Sequence, residues 1–284
     1  MGKLEKQFVE MVEGMPAFPQ NVYRVLQLTS DINCKPKELV RVIDSDPVLT
    51  VNILKAINSP YFGLTRSISS IRQAMVFVGV NTVKNLALTV APLEMLPESD
   101  RNDHFLNDLL LHSLCTASIA RGLARKMGVE EVEANDYFVA GLLHDYGKVV
   151  FARFMQEKFQ AAMQRASRDR MPLEQAELEI IGIDHAEIGA QLVTRWNLPE
   201  ELAQCIRSHH HSVAEAGRSL LDDCVHLANR ASRKLGYGHS GNPSCELVVP
   251  EPIRSLLGQN IESVLVSLGD VVGEMEKNQL LLRS

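Results

Sequence analysis

Residues 140–150 read AGLLHDYGKVV, and the polar pair His144-Asp145 follows the apolar run Gly141-Leu142-Leu143 without a break. On a buried helix adjacent side chains point about 100° apart, so this pair addresses one small volume only where a polar pocket opens at the helix end. A divalent metal would make that arrangement worthwhile. Imidazole nitrogen and carboxylate oxygen together suit iron, zinc, manganese or nickel. The plainer alternative is a core histidine beside an aspartate that caps a helix. The remaining histidines have to choose between the two.

Upstream, Phe105 to Met127 is strongly periodic: Phe105, Leu109, His112, Thr116, Ile119 and Leu123 share one stripe, which turns His112 inward. Gly128 ends that helix, and residues 131–145 form the next, which delivers His144 and Asp145. Downstream, Gly147-Lys148 reads as a turn before a helical return through Phe151, Phe154 and Met155. Met171-Pro172 opens a helix with the stripe Leu173, Ala176, Leu178 and Ile181, stopped by Gly182. Asp184 caps a helix from His185 to Trp196, and Pro199 begins one that ends in Ser208-His209-His210-His211. Leu220 to Leu235 is amphipathic and stops at Gly236; closing helices fall near Ile253 to Leu257 and Ile261 to Met275.

Toward the N-terminus the pattern is a succession of short amphipathic helices: residues 3–13, a start at Phe18-Pro19-Gln20, and another at Lys35-Pro36 with Leu39, Val42 and Ile43 on one face. A helix from Asp46-Pro47 exits at Asn58-Ser59-Pro60, Ser69 or Ser70 caps the next, and Asn81 to Leu96 is the last before Pro97. No strand alternation of convincing length occurs, and aromatics make up only 5% of the chain, so the expected fold is all-α. The polar segment Pro97 to Asp103 is the best boundary, dividing 1–97 from 98–284.

The net charge of −6 and the lack of an aromatic-basic stripe argue against nucleic acid as a partner. The stretch Ala74 to Leu96 is interrupted by Asn81, Lys84 and Asn85, too polar for a membrane span, and residues 1–11 are too charged for a signal peptide. Five cysteines without CxxC spacing suit free thiols in a reducing cytoplasm, and Cys115, Cys205 and Cys224 lie in apolar patterns as core residues.

Seven of the nine histidines fall between His112 and His226. One histidine on an apolar stripe is ordinarily core. Here His112, His144, His185 and the His209-His210-His211 run each sit on a buried face or near a helix end, accompanied by Asp145. Helical bundles build metal sites by projecting such ligands inward from several helices.

The order His112, His144-Asp145, His185, His209-His210 resembles the HD superfamily of metal-dependent phosphohydrolases, including its HD-GYP relatives. The upstream half is similar to a narrower family, the HDOD domain of bacterial signalling proteins. The residues that carry this likeness are Met15-Pro16-Ala17-Phe18-Pro19, Ile43 through Thr50, Ala56-Ile57-Asn58-Ser59, and Ser70 through Ala74 with Gly79. The resemblance spans about Met15 to Leu235. It implies an N-terminal helical bundle packed on an HD-like helical domain, a regulatory role, and a metal set of His112, His144, Asp145, His185, His209 and His210. A closing aspartate is expected in a stretch like His-Leu-Ala-Asp, where this chain has His226-Leu227-Ala228-Asn229. Asn229 offers a carbonyl oxygen without charge, a weak ligand. Asp222 and Asp223 lie nearly two turns upstream and are no direct replacement.

Two functions follow as expectations. One is a cytoplasmic signalling module with a partly retained metal pocket, acting through other signalling proteins or a small nucleotide-type ligand. The other is a metal-dependent phosphohydrolase acting on a nucleotide or cyclic dinucleotide. In that reading Asp145 and the histidines hold iron, manganese, nickel or zinc, and Lys148 or Arg207 neutralises phosphate charge. Each cation otherwise reads as a solvated surface charge. Loss of one anionic ligand at Asn229 harms hydrolysis more than metal binding.

Overall fold

Helix accounts for all regular structure among the residues that the computed structural model describes. These are 3–18, 35–58, 66–80, 103–131, 133–211, 217–243 and 248–269, with positions 21, 24–25, 28, 62, 64, 82–83 and 86–87 between them. The helix expected over residues 81–96, the one opening at Phe18-Pro19-Gln20, most of the boundary segment and residues 270–275 lie wholly or largely outside the described residues.

The N-terminal part contains α1 (Lys3–Gly14), α2 (Pro36–Asp44), α3 (Pro47–Ile57) and α4 (Ile71–Phe77). Its motif residues are structural. Asp46 caps α3, its Oδ1 accepting the backbone N–H of Val48 and Leu49 at 3.0 and 3.1 Å, while Asn21 donates to its Oδ2. Asn58 closes α3 and clamps the following loop. Its Nδ2 donates to the Ile68 carbonyl at 2.8 Å and its Oδ1 accepts the Ile68 N–H at 2.7 Å. Ser70 caps α4 by accepting the Gln73 N–H. The Val12–Phe18 segment docks onto the far half of the chain, where Arg195 donates to the carbonyls of Val12 and Met15 and the Trp196 indole to that of Pro16.

The second part begins with α5 (His104–Lys126), α6 (Ala134–Leu143), α7 (Gly147–Phe154), α8 (Gln156–Asp169) and α9 (Leu173–Ile180). It continues with α10 (His185–Arg195), α11 (Glu200–Ser208), α12 (Leu220–Leu235), α13 (Glu251–Leu257) and α14 (Ile261–Leu268). The long α5 packs against α6 and α12, and α10 packs against α7 and α11. Two glycines permit these layers to close. A Cβ on Gly141 would stand 2.7 Å from the Ala117 Cα of α5, and one on Gly147 would stand 2.0 Å from the His185 carbonyl oxygen. Only a bare Cα tolerates backbone so near.

Three local expectations need correction. The helix carrying the His-Asp pair ends at Leu143, so His144 and Asp145 occupy the turn before α7, and Gly147-Lys148 is the first turn of that helix instead of a loop. Residues 156–169 form a separate helix, α8, that the sequence reading did not single out. On α9 the buried face is Leu173, Ala176 and Glu177, while Leu178 is 50% exposed. The i, i+3, i+4 spacing from Leu173 selects Glu177 over its apolar neighbour.

Candidate metal centre

The turn at residues 144–146 lies where α5, α6, α7, α10 and α11 deliver polar side chains to one buried point. Asp145 is the hub. Its Oδ1 is 3.3 Å from His185 Nε2 and 3.6 Å from His209 Nε2; its Oδ2 is 3.3 Å from His144 Nε2 and 3.6 Å from His112 Nε2. His210 joins through its Nε2, 2.7 Å from His185 Nε2. The donor-bearing atoms fall into two groups, each within 4.8 Å, that share Asp145: one with His112 and His144, the other with His185, His209 and His210. Except for His210, which keeps some solvent contact, these side chains are buried.

Four of the five rings are held from behind. His144 Nδ1 donates to the Gly141 carbonyl at 2.7 Å and His209 Nδ1 to the Ile206 carbonyl at 2.6 Å. His112 Nδ1 pairs with Ser232 Oγ on α12 at 2.7 Å. His185 Nδ1 meets Glu177 Oε2 at 2.5 Å, and the same oxygen accepts the His185 backbone N–H. A ring whose Nδ1 carries the proton presents an Nε2 lone pair, the tautomer a metal requires.

Charge sharpens the point. Burial drives His209 down to about 3 and holds His112 well below its ordinary value, so both rings are neutral. Burial opposes charge on Asp145 too, yet His144 and Lys148 beside it hold its carboxyl well below the usual range, so it is an anion. The neutral rings of His112 and His209 therefore turn Nε2 lone pairs toward a carboxylate. The Nε2 atoms of His112, His144 and His209, and Oδ1 of Asp145, have no hydrogen-bond partner although all are buried. Unmet buried acceptors at such distances repel one another, and a cation between them relieves that repulsion. The residues present thus fit a divalent ion. His185 differs: burial is the strongest influence and lowers it, but the Glu177 and Asp145 carboxylates beside it together carry it up to about 9.

All six histidine and aspartate positions expected from the sequence are brought together. Asn229 is buried on α12, one turn before the Ser232 that holds His112. Lys148 is neither a surface charge nor open to phosphate. It is fully buried, its Nζ donating to Asp145 Oδ2 at 2.8 Å, the Ser240 carbonyl at 2.9 Å and Asn242 Oδ1 at 2.6 Å. Arg207 is partly exposed and paired with Glu187 at 2.8 Å. His226 is a support, its Nδ1 donating to the His209 carbonyl at 3.0 Å. Sequence reasoning missed Glu177 and Glu174, whose Oε1 is 3.7 Å from His210 Nδ1. The available signal was a glutamate at a stripe position of α9. Cys115, Cys205 and Cys224 are buried core residues outside any disulfide, as read.

The fold and the cluster define an all-α protein of the histidine–aspartate class, its polar centre assembled from helix ends and inward faces. Residues 15–212 match the HDOD domain, and the chain belongs to the HDOD domain family. An HDOD domain protein of unknown function from Geobacter sulfurreducens is 26% identical with a TM-score of 0.72, aligned over 98% of this chain and 96% of its own. A candidate phosphohydrolase from Shewanella amazonensis SB2B shares the fold at 21% identity and TM-score 0.67, over 97% and 98% of the two chains. An uncharacterized protein of Treponema pallidum (strain Nichols) is 28% identical over 209 residues, 74% of this chain but only 40% of that protein. The alignment thus spans less than half of that curated relative. No helix among the described residues is long and apolar enough to cross a membrane.

Proposed function

We propose that the chain is a regulatory HDOD module with a buried divalent metal centre, acting through a protein or small nucleotide-type partner and not through hydrolysis. The observation that carries this reading is the commitment of Lys148. The one lysine at the centre spends its donors on Asp145, Ser240 and Asn242 and turns no charge toward a phosphate. The neutral Asn229 where an anionic ligand is expected points the same way. The histidines and Asp145 hold the ion, Glu177 and Ser232 orient two of the rings, and burial keeps bulk water from every ligand side chain but His210.

The second reading, a metal-dependent phosphohydrolase acting on a nucleotide or cyclic dinucleotide, is favoured by the convergence of two ligand groups on Asp145. A bound ion would supply an activated water and polarise a phosphoryl oxygen. The candidate phosphohydrolase of the same fold adds to this alternative.

The two part on one experiment. Protein purified without chelator is assayed for bound metal, then loaded with manganese, iron or nickel and screened against nucleotides and cyclic dinucleotides. Metal without turnover is the expected result. Turnover that His144→Ala abolishes overturns the regulatory reading in favour of the enzyme, and a protein indifferent to every metal overturns the metal centre itself.

A further inference from the structure

The two halves of the centre are not equivalent, although they share Asp145. Oδ2, the oxygen facing His112 and His144, already accepts the Lys148 ammonium at 2.8 Å. Oδ1, facing His185 and His209, has no hydrogen-bond partner. Lys148 is pinned in place, since its other acceptors, Ser240 and Asn242, belong to the segment following α12, and Asn242 Nδ2 reaches Glu174 at 3.4 Å.

Support behind the rings is just as uneven. On the Oδ1 side α9 brings two carboxylates, with Glu177 on His185 and Glu174 beside His210. On the Oδ2 side the rings are backed by neutral groups, the Gly141 carbonyl and the Ser232 hydroxyl, and the nearby α12 position is Asn229. Carboxylates therefore back the Oδ1 side alone, and the Lys148 ammonium is bonded to Oδ2 and not to Oδ1.

We infer that the centre takes a single divalent ion, on the Asp145 Oδ1 side with His185, His209 and His210, and that Lys148 serves as a built-in cation in place of a second ion on the Oδ2 side. This rests on the metal-centre reading above and adds stoichiometry and location to it. Opposite charges within a few ångströms in a buried setting attract strongly and like charges repel as strongly, so a second ion has to compete with the ammonium for one oxygen. Lys148 is a positioning residue here, holding the shared carboxylate with Oδ1 presented to the ion.

The test uses the full chain, stripped by chelator, dialysed and titrated with cobalt(II), with calorimetry for stoichiometry and visible absorption for coordination. One equivalent binds tightly in the wild type, and any second binds roughly tenfold or more weakly. In Lys148→Met the second equivalent tightens by a similar factor. His210→Ala weakens the tight equivalent far more than His112→Ala does. Two equally tight equivalents in the wild type, or a Lys148→Met protein that still takes only one, overturn the inference and leave the metal centre standing. No cobalt uptake overturns both. Should Lys148→Met fail to fold by circular dichroism, the His210→Ala and His112→Ala pair decides, and equal losses refute the asymmetry.

Discussion

Substituting Gly147 by alanine tests whether helix packing sets the geometry of the centre. The added Cβ would lie 2.0 Å from the His185 carbonyl oxygen, 2.8 Å from the carbonyl carbon and 3.0 Å from the Gly189 nitrogen. All three are backbone atoms at the start of α10, so no side chain can swing aside. A relaxed carbon–oxygen contact is more than about 3 Å, and α7 must part from α10 by about 1 Å or more. His185 is the first residue of α10, and its Nε2 stands 3.3 Å from Asp145 Oδ1. The same displacement therefore opens the ligand set. Overpacking of rigid backbone belongs at the upper end of such penalties, about 3 kcal/mol, which lowers the Tm of a chain this size by about 5 °C. Thermal and urea unfolding followed by far-ultraviolet circular dichroism measure the loss, and metal titration reads the geometry. A Gly147→Ala protein with an unchanged Tm and undiminished metal uptake would refute the reasoning.

Glu177→Gln keeps the shape of the His185 contact but removes its charge, so the His185 titration, observed by NMR in the metal-free chain, falls from about 9 and metal affinity drops about 10–100-fold. An unmoved His185 titration counts against this. The metal-free chain should also be acid-sensitive. Burial holds His209 and His226 near 3, so the unfolded chain binds more protons below its histidine pKa of about 6.5, and stability falls as pH drops from there toward 3. Each contributes a slope of about 1.4 kcal/mol per pH unit. His185 has the opposite sign, its contribution being complete below about 6.5 and lost as pH rises through about 9. Urea midpoints at pH 7 and pH 5 that coincide would disprove the buried neutral histidines. In the N-terminal part, Asn58→Ala strips both partners from the Ile68 backbone and should cost about 1–2 kcal/mol in urea unfolding without altering metal uptake. A loss below about 0.5 kcal/mol would show the clamp to be dispensable.

Much of this molecule is local and therefore readable in order. Helix starts at Pro36, Pro47, Ile71, His185 and Leu220 follow from a proline or a capping side chain beside an apolar stripe, because caps and 3.6-residue periodicity act within a few residues. The histidine roster was equally visible, since a polar ring on an apolar stripe or at a helix end stands out, and the likeness to a known family joined its members. Other features depend on what arrives from far along the chain. Whether Lys148 meets water, phosphate or Asp145 is settled by Ser240 and Asn242, more than ninety residues away. Glu177 becomes the keeper of His185 because α9 turns its i, i+4 face inward, burying a carboxylate that burial rules place outside unless it finds a partner. Sequence alone therefore determined that the chain is helical and which imidazoles and carboxylate gather at its centre. Tertiary structure alone decided where charge sits around them, because Coulomb interactions in a buried site depend on distances between residues that chain order does not set.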